Sequence, residues 1–544
     1  MSLQSPLGYQ LPDETAYIAR AAFPNGNLYI EMQAQLGMIY SNPQFASLFS
    51  LTGQPALDPA RLALILVMQA LEGLPDRQTA DAVRARIDWK YALALELTDP
   101  GFDASVLSEF RKRLVTDAPE LLLLDTLLQL LQARGLLAAR GKQRTDATHI
   151  LASVRTINRL ALVLETMRLA LNRLATLAPE WLWPQLQPDW LERYELRAEH
   201  SRLPSDETKR AALVSQVGAD GFALLAALFA PDTPHEVRQA PAVEVLRQVW
   251  LQQYYGPHEL RWRGEADAPA PGQLIHSPYD VEARYSSKRD VSWVGYKVHY
   301  TETCDEARPH LITSVVTTAA SIADDTVLPV IQTALSAKGL LPSEHLVDCG
   351  YTDAEKVLTS QSTHAVRLIG PVARDPSWQA RAGAGYAKAN FSVDWAQQVG
   401  TCPQGKRSVG WCAQADGTTQ VRFAARECRE CEVRAACTKA KSGPRVITLL
   451  ERAQEELQQR LRQEQESEAF RAEYRLRAGV EGLLSQGVRA YELRKARYVG
   501  CAKTHLQHIL IAVAINLVRL VAWWREGHTT PPRISAFARL ATLA

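Results

Sequence analysis

From about residue 20 to about residue 140 the apolar positions recur at helical spacing. Asp58-Pro59 supplies an N-cap and a first-turn proline ahead of R-L-A-L-I-L-V-M-Q-A-L, and Gly73 supplies the stop. A second helix is predicted around R-Q-T-A-D-A-V-R-A-R. T-D-P-G reads as a turn, and S-V-L-S-E-F-R-K-R-L as a short helix with Arg111, Lys112 and Arg113 at its end.

Near residue 143 the period shortens. Q-R-T-D-A-T-H-I-L alternates as a strand does. Residues 155 to 265 are helical and irregular, with Pro- and Trp-containing breaks. Strand signals then concentrate. W-V-G-Y-K-V-H-Y-T (293–301) puts Lys297 and His299 on one face and Tyr296 and Val298 on the other. H-L-I-T-S-V-V-T-T (310–318) is β-rich, and D-D-T-V-L-P-V-I-Q-T-A-L is helical apart from its proline. E-H-L-V-D-C-G-Y (344–351) is a short buried strand ending in a turn, and A-V-R-L-I-G-P-V (365–372) is another. Strand, hairpin, helix, strand, helix, strand predicts a mixed α/β sheet within an α+β multidomain chain.

Residues 373–445 are rich in Gly, Trp and Cys and lack helical periodicity. A long helix follows, containing Y-R-L-R-A-G-V-E-G-L-L-S-Q-G-V-R-A-Y (474–491), then a basic loop and a final helix. On one continuous helix Tyr474, Arg477 and Glu481 fall within about 60° of each other. An apolar stripe of Leu476, Val480, Leu483 and Leu484 adjoins them. No internal repeat is evident.

A chain of 544 residues exceeds what one core can organise, so two to four domains are expected. The net charge of +2 names no partner, but from Gly487 onward nine Lys/Arg face two acids, Glu492 and Glu526. The N-terminus has neither a basic n-region nor an apolar h-region, so no signal peptide is expected. The apolar run I-L-I-A-V-A-I-N-L-V-R-L-V-A-W-W is broken by Asn516 and Arg519, and reads as a buried helix, with no membrane partner. Eight cysteines make no disulfide scaffold, which fits a reducing cytoplasm.

Three acids stand at telling places: Asp146 in the first strand, Asp348 at the end of a later one, and Glu481 on the late helix. Hard cations such as Mg²⁺ want oxygen ligands and keep waters and substrate phosphates in their shell. Two such ions can act on a phosphodiester from both sides. Asp353, in Y-T-D-A-E-K, reads instead as a helix cap.

The pattern Y-x2-R-x3-E, filled by Tyr474, Arg477 and Glu481, resembles the signature of bacterial insertion-sequence transposases of the DDE class. T-D-A-T-H, S-P-Y-D-V-E-A-R-Y, W-V-G-Y-K-V-H-Y-T-E-T, V-D-C-G-Y-T-D-A, C-P-Q-G, C-R-E-C and L-R-K-A-R-Y-V-G-C-A-K-T-H-L-Q are similar to segments of the same family. The resemblance spans roughly residues 25 to 540. It implies an RNase H-like domain whose Mg²⁺-binding triad is Asp146, Asp348 and Glu481, with two ions and Mn²⁺ as a substitute. The family's longer signature has Lys or Arg seven residues after the glutamate; here that position is Val488, and Arg489 follows.

The domain reading is then a helical, helix-turn-helix-like DNA-binding domain over 1–140 and a first RNase H-like strand over 141–154. A mainly helical insert (155–270), the RNase H-like core (271–372), a Cys-rich insert (373–445) and C-terminal helices with the glutamate (446–544) complete it. DNA contacts are expected from Arg111, Lys112 and Arg113, from Lys297, and from Tyr474, Arg477 and Arg489. The loop R-A-Y-E-L-R-K-A-R-Y-V-G-C-A-K adds Arg494, Lys495, Arg497 and Lys503, interleaved with Tyr491 and Tyr498. His149 reads as a structural side chain. Cys402, Cys428, Cys431 and Cys437 are candidate ligands of a structural Zn²⁺, with Cys412 in competition. The expected activity is cleavage at element ends and strand transfer, on terminal inverted repeats and target DNA, by a homodimer in the cytoplasm. The alternatives are a DDE nuclease that cuts without joining, and a DNA-binding regulator or decayed transposase without chemistry.

Overall fold

A computed structural model describes residues 2–3, 8–50, 52–117, 119, 121–155, 157–198, 203–256, 259–264 and 266–525. Helix α1 (Pro59–Glu72) starts and stops where its local chemistry dictates. The Asp58 carboxylate accepts the amides of Ala60 and Arg61, and Gly73 closes the helix at φ 68°. Leu62 to Met68 are all buried, so α1 is a core helix enclosed on every side. Around it lie α2 (Asp76–Ala85), α3 (Ser105–Asp117) and α4 (Leu122–Ala133).

The sheet begins with β1 (Lys142–Leu151). Helices α5 (Arg159–Leu177), α6 (Glu207–Leu228) and α7 (Pro241–Gln253) then build a separate apolar core around Trp190, Trp250 and Tyr254. The chain returns with β2 (Arg284–Lys288), β3 (Val291–Thr303) and β4 (Ile312–Ala319). Helix α8 (Leu328–Ala337), β5 (Glu344–Leu346), α9 (Ala354–His364) and β6 (Arg367–Ile369) follow. Asp353 caps α9 through the Lys356 amide, as its sequence context predicts.

The sheet order is β4-β3-β1-β5-β6, and β2 also pairs with β3, over residues 291–295. β3 runs antiparallel to β1, whereas β5 and β6 run parallel to it. In the β1–β3 register Arg144 faces Glu302, Asp146 faces Tyr300 and His149 faces Lys297. Arg144 and Asp146, two residues apart, therefore share one face of β1.

A three-stranded sheet of β7 (Ser408–Ala413), β8 (Thr419–Phe423) and β9 (Val446–Leu449) carries the short helices α10 (Ala425–Arg429) and α11 (Arg434–Cys437) between its last two strands. The chain ends its described course with α12 (Arg452–Glu464), α13 (Glu468–Tyr474), α14 (Gly479–Tyr491) and α15 (Cys501–Arg525).

Helix α15 is buried nearly end to end among β4, α1 and α4. Each Ile, Leu or Val it removes from water contributes roughly 1.5–3 kcal/mol. Its one polar interruption at the centre, Asn516, is satisfied: it accepts the Ile312 amide at 2.7 Å and donates to the Ile312 carbonyl at 2.9 Å. Two described helices, Glu207–Leu228 and Cys501–Arg525, have the length and apolarity of a membrane span, but α15 is mostly enclosed by protein.

The expected single helix through residues 474–491 is broken. α13 ends at Tyr474, residues Arg475–Ala478 form a 3-10 turn, and α14 begins at Gly479. The cause is a long-range tie. Arg144 donates from β1 to the Leu476 carbonyl at 2.5 Å, and its guanidinium lies against Gly479, where a Cβ would stand 2.0 Å from Nη1. Arg144 is itself held by Glu302, a fully buried carboxylate 2.8 Å away that also pairs with Arg519.

Candidate active site

Three acids from three separate elements meet at one guanidinium. Asp146 comes from β1, Asp348 from the turn after β5, and Glu481 from the first turn of α14. Arg477 Nη2 is 2.7 Å from Asp146 Oδ2 and 3.9 Å from Asp348 Oδ2, and its Nη1 is 3.2 Å from Glu481 Oε1. Each aspartate has its other oxygen engaged by a nearby backbone amide: Asp146 Oδ1 accepts from Ala147 and Asp348 Oδ1 from Gly350, both at 2.8 Å. Those bonds orient the free oxygens toward Arg477.

The acids differ in exposure. The Asp146 side chain is 12% exposed and that of Glu481 is 68%. Burial, above all, pushes the Asp146 carboxyl up from its ordinary range; Arg477 and the Ala147 amide oppose it, and Asp348 adds to it. Behind the aspartates His299 and Tyr351 form a buried hydrogen-bonded pair at 2.5 Å. Burial first, with smaller charge effects, brings the His299 pKa down to about 4, so the ring is neutral.

All three acids and Arg477 line one open cavity of about 550 Å³. Its other charged residues are Lys288 and Arg289 at the β2–β3 hairpin, Lys297, Asp324 and Arg494. Lys297 is paired with Asp324 at 2.8 Å, while Arg494 donates to Thr148 at 3.1 Å. His149 also lines the cavity, with its ring centroid 5.3 Å from that of Trp293.

A donor set of three carboxylates converging on a single positive charge fits a hard divalent cation; the Arg477 guanidinium is that charge here. The guanidinium lies between these carboxylates, and among the described residues no three His, Cys, Asp or Glu, here or elsewhere, stand as a closed metal cluster. Arg477 Nε is buried without a partner, so the guanidinium is only partly satisfied where it lies.

Other residues singled out from the sequence are placed differently. Arg111 is buried, paired with Asp76 at 2.5 Å and lying over the Tyr498 ring. Arg113 donates to the Leu48 carbonyl and covers Phe49, which leaves Lys112 as the exposed base of that helix. Tyr474 packs with Phe470 against Cys304, Leu346 and Ile369. Tyr491 is buried in the main core, and Tyr498 is half-buried with Arg111 over its ring.

Lys495 pairs with Glu492, and Arg497 donates to the Gly73 carbonyl. Lys503 is exposed on the first turn of α15. Helix α14 is continuous through Gly487. It runs on to Tyr491 with Val488 against the core and Arg489 exposed, outside the cavity lining. Lys288 and Arg289 were not singled out from the sequence; the hairpin signal was legible, but its distance from Asp146 was not. Arg144, Glu302 and Arg519 were missed too, since no local pattern marks a tie between β1, β3 and α15.

Comparison with known families agrees at both ends of the chain. Residues 401–521, which include Glu481, match a family model described as a transposase DDE domain. Residues 18–113 match one described as a transposase domain (DUF772). The two matches support assignment of the chain to the DDE-class insertion-sequence transposases. No curated protein and no solved structure gives a significant match.

Proposed function

We propose that this chain is a DNA transposase that cuts phosphodiesters at insertion-sequence ends and joins the freed 3′-hydroxyl to target DNA, in a metal-dependent reaction. The observation that carries this reading is the convergence of Asp146, Asp348 and Glu481 on Arg477. The sheet order β4-β3-β1-β5-β6, with acids on β1 and just past β5, supports an RNase H-like core. The helices of 155–270 and the Cys-rich residues 373–445 are then inserts in it.

Asp146, Asp348 and Glu481 would hold Mg²⁺, or Mn²⁺ in its place. Metal held there would supply charge neutralisation and an activated oxygen for phosphodiester chemistry. Arg477 gives up its carboxylates and turns its fork to a phosphate, which a guanidinium binds through two oxygens. Lys288, Arg289 and Arg494 neutralise the backbone on either side of the reacting bond. Exposed Lys112, on the N-terminal helices, is the base offered to the terminal inverted repeats. Joining two ends in concert requires two such sites, hence a homodimer on DNA, acting in the nucleoid.

The test is incubation with element-end DNA and Mg²⁺, comparing the wild type with Glu481→Gln. Loss of cleavage in the variant supports the triad, and a strand-transfer product separates a transposase from a nuclease that only cuts. Cleavage untouched by the substitution removes Glu481 from the site. Binding without cleavage in either protein makes the chain a DNA-binding regulator.

A further inference from the structure

The Cys-rich unit has too little core to explain its order. Its buried apolar residues are Phe391, Val421, Phe423, Ile447 and Leu449, with Cys402, Cys428 and Cys437 packed against them. In units below about 70–80 residues one core supplies little stability and metals or disulfides commonly add to it, and every cysteine here is a free thiol. Cys402, Cys428, Cys431 and Cys437 line one cavity of about 40 Å³, facing a common space without being drawn in to a closed ligand set. A single water needs about 10–15 Å³, so the space suits an ion and not a substrate.

We infer that these four thiols bind a structural Zn²⁺ as a tetrathiolate site, independent of the carboxylates that carry the proposed chemistry. Four sulfurs at about 2.3 Å from the ion match the preference of zinc for tetrahedral thiolate sets. The surroundings fit that charge. The Lys406 amide donates to Cys402 Sγ at 3.4 Å, across a turn closed by Gly405 at φ 77°. Lys406, Arg434 and Arg445 also line the cavity, and Arg445 Nε is buried with no partner. Arg434 braces the ligand loop, donating to the carbonyls of Cys428 and Ala440 at 3.1 and 2.6 Å. Cys412 drops out as the competing ligand: it is exposed on β7 and outside the cavity lining.

The test is metal analysis of the purified full chain after gel filtration in EDTA, with zinc release by a mercurial followed with an indicator dye. One zinc per chain is expected, kept in Cys412→Ser and in Asp146→Asn/Glu481→Gln, and lost in Cys431→Ser and Cys437→Ser. If the cysteine variants do not fold, Co²⁺ added to metal-stripped wild type must give the intense visible bands and sulfur charge transfer of a tetrathiolate. A wild-type chain with only trace zinc and no such Co²⁺ spectrum overturns the site. So does zinc that persists in both cysteine variants, or that leaves with the carboxylates.

Discussion

Arg477 lies in the place a cation would take beside Asp146, its Nη2 2.7 Å from Asp146 Oδ2. The same guanidinium reaches Asp348 and Glu481, so the positive charge is supplied from within the chain. On the proposed reading, a metal held by these carboxylates competes with Arg477 for the same oxygens. Arg477→Met is expected to bind Mn²⁺ at least about tenfold more tightly in the absence of DNA, equivalent to about 1.4 kcal/mol. Cleavage should fall in the same variant, since the phosphate loses its fork. Titration of Mn²⁺ followed by electron paramagnetic resonance measures the first effect; an unchanged affinity would remove Arg477 from the competition.

Gly479 is required for close approach, not for its backbone angle. Its φ belongs to the right-handed region, but a Cβ would stand 2.0 Å from Arg144 Nη1. Arg144 cannot yield easily because it is bound to buried Glu302. Gly479→Ala should therefore cost about 1–3 kcal/mol, the usual cost of overpacking, and should displace Glu481 enough to reduce cleavage. Urea unfolding reads the stability, and a midpoint equal to that of the wild type would refute the clash.

The exposed bases are not equivalent. Lys288 and Arg494 line the carboxylate cavity, whereas Arg489 projects from α14 outside it. Lys288→Ala and Arg494→Ala should each weaken element-end binding and reduce the salt slope by about one unit, as loss of a phosphate contact does. Arg489→Ala should leave both unchanged. Filter binding at several salt concentrations decides it, and a larger loss in Arg489→Ala would reassign the phosphate track.

Burial of His299, His345 and His508 is expected to make the fold acid-sensitive. Burial lowers the pKa of His299 and of His345 to about 4, and that of His508 to about 3. Unfolded, these rings take up protons as the pH drops through their ordinary 6.5. Between those values the unfolded chain binds more protons, so their contribution is complete above pH 6.5 and is lost on acidification toward 4. Every tenfold difference in proton affinity between the folded and unfolded ring is worth about 1.4 kcal/mol. Denaturant midpoints should decline over that window, and His345→Gln should flatten the decline. An identical slope in the variant would mean other groups cause it.

Features that depend on neighbours in sequence were legible from the chain alone. The Asp58 cap, the Gly73 stop and the Asp353 cap each use residues within four positions of one another. Alternation placed Lys297 and His299 opposite Tyr296 and Val298. What was not legible depends on residues far apart. Arg111 looks free until Asp76 is folded beside it, and the helix through Tyr474 looks continuous until Arg144 takes the Leu476 carbonyl. The acids could be nominated from the sequence with the family resemblance, but their meeting on Arg477 needed three elements assembled in space.

The burial of α15 has a consequence for how the protein is made. Its apolar side chains belong to the same core as α1, the first long helix off the ribosome, and as the sheet between them. The N-terminal helices therefore emerge without the partner that completes their packing. Folding must wait for almost the whole chain, and contacts so distant in sequence form slowly. During that interval the apolar run from Leu62 to Met68 lacks its covering helix, and exposed apolar surface of this kind is prone to aggregate. On the proposed reading, a chain stopped before α14 would carry Asp146 and Asp348 without Glu481, so the site could be completed only near the end of synthesis.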